Sequence, residues 1–177
     1  MTIDMTRHGG AVGLAVAEEI DRRGVWRVRT DFQPDMDEET GEQRGVTFIE
    51  TEFAYKPSMA EVRDFCLGVI NRQTDERIVS GFVWNGIGVW LSEENQRNFS
   101  EAQRIAASMP EAILPVVFKL GEDEDGQPVY HEFTSSEELT AFYMAAVAYI
   151  NRCLAEGWQR KDSFDWTPYL TALDVER

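Results

Sequence analysis

The chain has 177 residues, with 17 Lys and Arg against 32 Asp and Glu, a formal net charge of −15. That length supports one domain with a sizeable core, or a domain plus a small appendage, and a composition 43% hydrophobic and 28% charged is that of a globular protein. The charge argues against a nucleic-acid backbone or an anionic membrane as partner, since both need a cationic face, and no run approaches the roughly 18 apolar residues of a membrane span.

The chain opens "MTIDMTRHGGAVGLAVAEEIDRRG", in which "TRHGG" (6–10) reads as a mobile N-terminus. Its small apolar run, Ala11 to Ala17, is followed by Glu18, Glu19 and Asp21 with no clear cleavage site, which argues against a secretory signal. Val25 to Phe32 then alternates, with Trp26, Val28, Thr30 and Phe32 on one face and Arg27, Arg29 and Asp31 on the other. Thr47 to Tyr55 alternates as well. Paired antiparallel with Trp26 opposite Phe53, the two strands set Thr30 against Ile49, Arg27 against Glu52 and Arg29 against Glu50. Packing and charge choose the same register. The charge pairs are expected on an exposed face, where each contributes a few tenths of a kcal/mol. Between the strands, "PDMDEETGEQR" (34–44) reads as an acidic loop.

A helix opens at Ser58, where Ser58 and Glu61 form a capping box after Pro57. Val62, Phe65, Cys66, Val69 and Ile70 make its apolar stripe. It should run to about Ser80, with Gly81 as a C-terminal stop. Asn85-Gly86 predicts a two-residue type I′ turn, which sets Trp84 opposite Ile87 and Phe82 opposite Val89. Val83, Gly88 and Trp90 then lie on the other face. Ser92 caps a second helix that carries Phe99, Ala102, Ile105, Ala106 and Met109 inward and stops near Pro110.

Leu114, Val116, Phe118 and Leu120 alternate in a strand. The turn "EDEDG" (122–126) leads to a partner strand, Pro128 to Phe133. Ser135 caps a long helix with the stripe Leu139, Phe142, Tyr143, Ala146, Val147, Ile150 and Leu154, and Gly157 is expected to end it. A short C-terminal helix carries Phe164, Trp166, Tyr169, Leu170 and Leu173. The class is α+β, antiparallel β-hairpins packed with three main amphipathic helices and a short C-terminal helix. Residues 1–56 form an N-terminal segment with a hairpin and acidic loop, and 57–177 form the main α+β domain. Cys66 and Cys153 fall at apolar helical positions and read as reduced core thiols, with a disulfide between those helices left open.

No complete catalytic constellation is legible. Arg7-His8-Gly9 resembles the phosphate-binding start of histidine phosphatases. It lacks the apolar strand that should precede it, and His131 is the one other histidine. "GEDEDGQPVYHE" (121–132) partly fits a calcium loop through Asp123, Asp125, Gly126 and Glu132. Gly121 stands at the first ligand position, and the flanks read as strands. His131 reads as a packed or surface residue. The expectation is therefore no enzyme, no cofactor and no metal. The five tryptophans read mainly as packing, with Trp90 the exception because it faces away from the apolar hairpin face.

The order of signals from Val62 to Ala172 resembles a phage and prophage domain of unknown function, found in tail-fibre-type and tail-associated proteins, notably in phages of gut Bacteroides-like bacteria. The carrying residues are Ile70, Asn71, Asp75 and Ile78, then Gly81, Phe82, Trp84, Asn85 and Gly86. Ser92, Glu93, Asn95, Gln96 and Asn98 follow, and then "LPVVFKL" and the helix "SSEELTAFYMAAVAYI". The resemblance implies a setting and no catalytic residues. It points to a non-enzymatic tail-associated or structural protein with other tail or fibre proteins as partners. The location it implies is the host cytoplasm during assembly and then the virion, with a homo-oligomer possible. Candidate contact residues are Asp35, Asp37, Glu38 and Glu39 in the acidic loop, and Trp90. A fibre-assembly chaperone and an acidic DNA mimic directed at a host enzyme are the alternatives.

Overall fold

The computed structural model describes residues 3–21 and 23–174. Among them the chain forms two compact units. One comprises residues up to Arg72 together with those from Arg160 onward, and the other is Gln73–Gln159. Each has its own buried core. The class is α+β, as the alternation and helical spacing require. The sequence division at 56/57 follows the elements, whereas the contact boundaries fall inside two long helices.

The first unit holds an antiparallel sheet of β1 (Arg7–Gly10), β2 (Ala17–Glu19), β3 (Trp26–Met36) and β4 (Gln43–Phe53), in the order β1-β4-β3-β2. The β3–β4 register is the one that packing and charge select, with Trp26 opposite Phe53, Arg27 opposite Glu52, Arg29 opposite Glu50 and Thr30 opposite Ile49. Arg7–Gly10, read as part of a mobile terminus, is instead a strand, because β1 pairs with β4. β3 and β4 extend into the expected 34–44 loop, leaving Asp37 to Glu42 as the turn.

Two departures change this sheet. The β3–β4 register shifts between Thr30 and Gln33, where Asp31 takes a positive φ of 56°. The irregularity carries Phe32 to the opposite face from the expected one. Its ring lies 5.4 Å from Phe48, which also sits under the Arg29 guanidinium at 5.3 Å. The second departure is burial on that charged face. Arg29 is 4% exposed, bonded to Glu50 at 3.2 Å, Glu18 at 2.7 Å and the Ala15 carbonyl at 2.9 Å. The β1–β2 connection supplies Leu14, which fills the space beside Gly10 and Phe48. Sequence alternation placed these charges in water, but the returning chain covers them.

On the other face, Val28 and Ile49 pack against Val62, Phe65, Cys66 and Val69 of α1 (Met59–Ser80), with Tyr169 and Leu173 from α4 (Thr167–Ala172) and its end. Tyr169 donates to the Arg29 carbonyl at 2.8 Å. Burial raises the pKa of both the Cys66 thiol and the Tyr169 hydroxyl. Cys66 and Cys153 are free buried thiols.

The capping box at the start of α1 forms as read. The Ser58 N–H donates to Glu61 at 2.8 Å and the Glu61 N–H to Ser58 Oγ at 3.3 Å. Tyr55 adds a hydroxyl donor to Glu61 at 2.5 Å. That bond first, then those from Ser58, holds the Glu61 carboxyl below its ordinary value. A depressed folded pKa gives stability that is present above the unfolded value, about 4.3, and is lost as pH falls through the folded value. Glu61→Gln is therefore expected to flatten the acid limb of stability below about pH 4.3. Urea midpoints measured across that range would test this, and an unchanged limb would refute it.

The second unit contains the C-terminal part of α1, β5 (Phe82–Trp84), β6 (Ile87–Val89), α2 (Glu93–Ser108), β7 (Val116–Glu122), β8 (Pro128–Phe133) and most of α3 (Ser136–Asp162). Asn85 and Gly86 have φ of 48° and 83°, as a type I′ turn demands, and the hairpin pairs Trp84 with Ile87 and Phe82 with Val89. Ser92 caps α2 by accepting from the Asn95 N–H at 3.2 Å. Ser135 does the same for the Glu138 N–H at 3.2 Å.

Three expectations in this unit are corrected. The helix ends at Ser80, directly before Gly81, as read, but Gly81 does not take the left-handed conformation of a helix stop. It is required by close approach, because a Cβ there would lie 2.3 Å from the Tyr149 hydroxyl, which donates to the Arg77 carbonyl. Gly157 does not end α3, which continues to Asp162. A Cβ at Gly157 would meet Thr74 at 2.7 Å. Finally, Met109 is 55% exposed and lies beyond α2.

Candidate functional site

The two surfaces expected to meet partners differ in character. In the 37–42 turn, Asp37 is committed to its own loop. Its Oδ1 accepts from the Thr40 N–H at 2.9 Å and the Glu39 N–H at 3.0 Å, and these bonds lower its pKa. Asp35 stands in β3 and pairs with Arg44 at 3.0 Å. Glu38 and Glu39 are exposed at the tip. Within this acidic turn Asp37 is satisfied by the turn's own amides, while Glu38, Glu39 and Glu42 are exposed.

The second surface is built by two hairpins. The Trp90 N–H donates to the Leu120 carbonyl at 2.8 Å, joining the end of β6 to β7. Glycine makes this approach feasible, since a Cβ on Gly121 would lie 2.4 Å from the Gly88 carbonyl oxygen. Period-two alternation divides the side chains. Phe82, Val89, Leu120 and Phe133 go inward to the core. Val83, Trp90, Val117 and Tyr130 stand outward, 60%, 40%, 54% and 62% exposed. Lys119 pairs with Tyr130 across β7–β8, and its ammonium lies 5.0 Å from the Trp90 ring centroid and 3.0 Å from Glu122.

At the turn ends of the two hairpins, beside this face, lies a recess of about 440 Å³, lined by Gly86, Ile87, Gly88, Glu122, Asp123, Glu124 and Val129. Gly86 and Gly88 leave its wall open. Asp123 shapes the turn by accepting from the Gln127 N–H at 2.8 Å and the Asp125 N–H at 3.0 Å. Trp90 was visible in the sequence as an outward residue. Val117 and Tyr130 were missed as its neighbours, although the alternation that sends Val116 and Val129 inward implies their direction.

The two histidines of the motifs weighed above have the following neighbours. His8 sits on β1 beside Phe48, with Nδ1 3.9 Å from Glu50. Arg7 pairs with Asp31 at 2.6 Å. His131 stacks edge-on to Phe133 at 4.5 Å and meets Glu138 at 2.9 Å. Sequence reasoning passed over Asp31, which combines a positive φ with ion pairs to Arg7 and to Arg160 at 3.6 Å. It borders a cavity of about 250 Å³ lined also by Thr30, Val69, Ile70, Ser163 and Phe164. A carboxylate three residues before a proline in an alternating strand gave no signal of a bulge.

No helix among the described residues is long and apolar enough to cross a membrane. These elements define an α+β protein with two cores and an outward aromatic hairpin face. The chain belongs to the family described as a domain of unknown function, DUF4376, which matches residues 62–175. No curated protein and no solved structure matches it.

Proposed function

We propose that this chain is a non-enzymatic phage or prophage tail-associated protein that acts through protein–protein contacts. It meets tail or fibre proteins in the host cytoplasm during assembly and is then retained in the virion. The observation that supports the contact role is the outward face of Val83, Trp90, Val117 and Tyr130, large apolar side chains grouped on one side of two hairpins. Exposed apolar groups gathered in one patch favour association, whereas scattered ones need no explanation. The tail setting rests on the sequence resemblance over 62–172.

Quantitative mass spectrometry of purified particles tests the proposal. The expected result is a fixed copy number in ratio to the major tail proteins. Absence from particles, with abundance in infected cells, overturns the virion role and leaves the assembly-chaperone reading.

A further inference from the structure

The hairpin face of the second unit has a chemistry that selects its partner. The unit carries 14 acidic and 5 basic side chains across residues 73–159. Glu122, Asp123 and Glu124 line the recess together with Gly86 and Gly88, which contribute no side chains of their own. Ile87 and Val129 give it an apolar lining. An alkyl stem ending in a positive charge fits that combination, because the stem packs on the apolar part and the head meets carboxylates. The fold already holds one such group here, since the Lys119 ammonium lies between the Trp90 ring and Glu122. A cation against an aromatic face with a carboxylate behind it is favourable. Beyond Lys119, Tyr130, Val117 and Val83 continue as apolar surface.

Resting on the reading that this chain acts through protein contacts, we propose that the outer face of β5–β8 and the recess at its turn ends, joined through Glu122, bind a basic, partly apolar segment of a partner protein. A Lys or Arg of that segment enters the recess between the Asn85-Gly86 turn and the acidic turn. Its neighbouring apolar side chains cover Trp90 and Tyr130. Charge complementarity favours this occupant over a second copy of the chain, which would bring carboxylates against carboxylates.

The test uses the full chain and two short synthetic peptides, one alternating lysine with leucine and one alternating glutamate with leucine. Binding is followed by isotope-edited NMR shifts and by tryptophan fluorescence. The lysine peptide is expected to shift Gly86, Gly88, Trp90 and Glu122 to Glu124, and the glutamate peptide to leave them in place. Trp90→Ala and the double variant E122Q/E124Q should each weaken binding about tenfold. The charge-matched control E94Q/E111Q should leave it unchanged, which separates a site from general attraction to an acidic protein.

Equal binding of both peptides overturns the proposal, as does equal loss in the control or no effect of Trp90→Ala. Self-association that occupies this face, detected by sedimentation, also overturns it. If peptide binding fails while the chain is present in particles, the partner assignment falls and the tail reading stands. If the peptide binds but the chain is absent from particles, the reverse holds.

Discussion

Arg29→Ala is expected to destabilise the protein by about 3 kcal/mol, a large effect for a residue on the charged side of a sheet. The guanidinium is 4% exposed and bonds two carboxylates and a carbonyl. Its removal strands Glu50, which is 14% exposed and retains Arg27 at 3.5 Å. The loss is then mainly the penalty of a buried charge with too few partners, together with an unanswered Ala15 carbonyl. Urea unfolding would show a lower midpoint at unchanged slope. R29A/E50Q should recover part of the loss, because it neutralises the stranded carboxylate. A cost under about 1 kcal/mol would show that water reaches the cluster and that the pair behaves as a surface one.

Phe142→Ala is expected to cost about 3–5 kcal/mol. Phe142 is fully buried in α3, and its ring centroid lies 4.9 Å from Phe99, 5.0 Å from Phe133, 5.6 Å from Trp84 and 6.1 Å from Phe82. It therefore touches both hairpins and α2, and the void left by its ring has walls on three sides that cannot close together. Near-ultraviolet circular dichroism should lose intensity as the surrounding aromatics become mobile. Tyr130→Ala, at a position 62% exposed, should stay within about 0.5 kcal/mol of the parent. Similar losses for the two would mean that the ring cluster is not the centre of this core.

The β3–β4 register was legible because two independent patterns, apolar alternation and opposite charge, agreed residue by residue. The Asn85-Gly86 turn and the Ser58 and Ser92 caps were legible because each depends on local backbone chemistry alone. The face of α3 was only partly so. The sequence stripe included Leu139, Phe142 and Ala146, and Cys153 was read as a core thiol, all of which are buried. Its other members, Tyr143, Val147, Ile150 and Leu154, are only half-buried, and it left out Tyr149 and Gly157, which complete the buried line. Large apolar residues advertise themselves by hydropathy. Close contact between helices instead uses small ones, as where Thr74 meets Gly157, and no hydropathy scale marks that position. The burial of Arg29 and the pairing of β1 were hidden for a different reason. Both depend on where a distant piece of chain returns, and alternation within a strand carries no information about that. Of the candidate contact residues, Trp90 was readable from parity, while Asp35 and Asp37 drew attention by charge that Arg44 and the turn amides satisfy locally.

The composition of the first core has a consequence for the order of folding during synthesis. Ala17, Val28 and Ile49 are joined there by Tyr169 and Leu173, from beyond the whole of the second unit. The second core draws on Ile78 to Cys153 and can close while translation continues. The first sheet must wait, its apolar face covered on the nascent chain by α1 alone, until Tyr169 and Leu173 have been made. Contacts of such sequence separation carry the largest loop-closure cost. The intervening unit reduces that cost by folding first, which shortens the loop from a flexible chain of residues to a compact body.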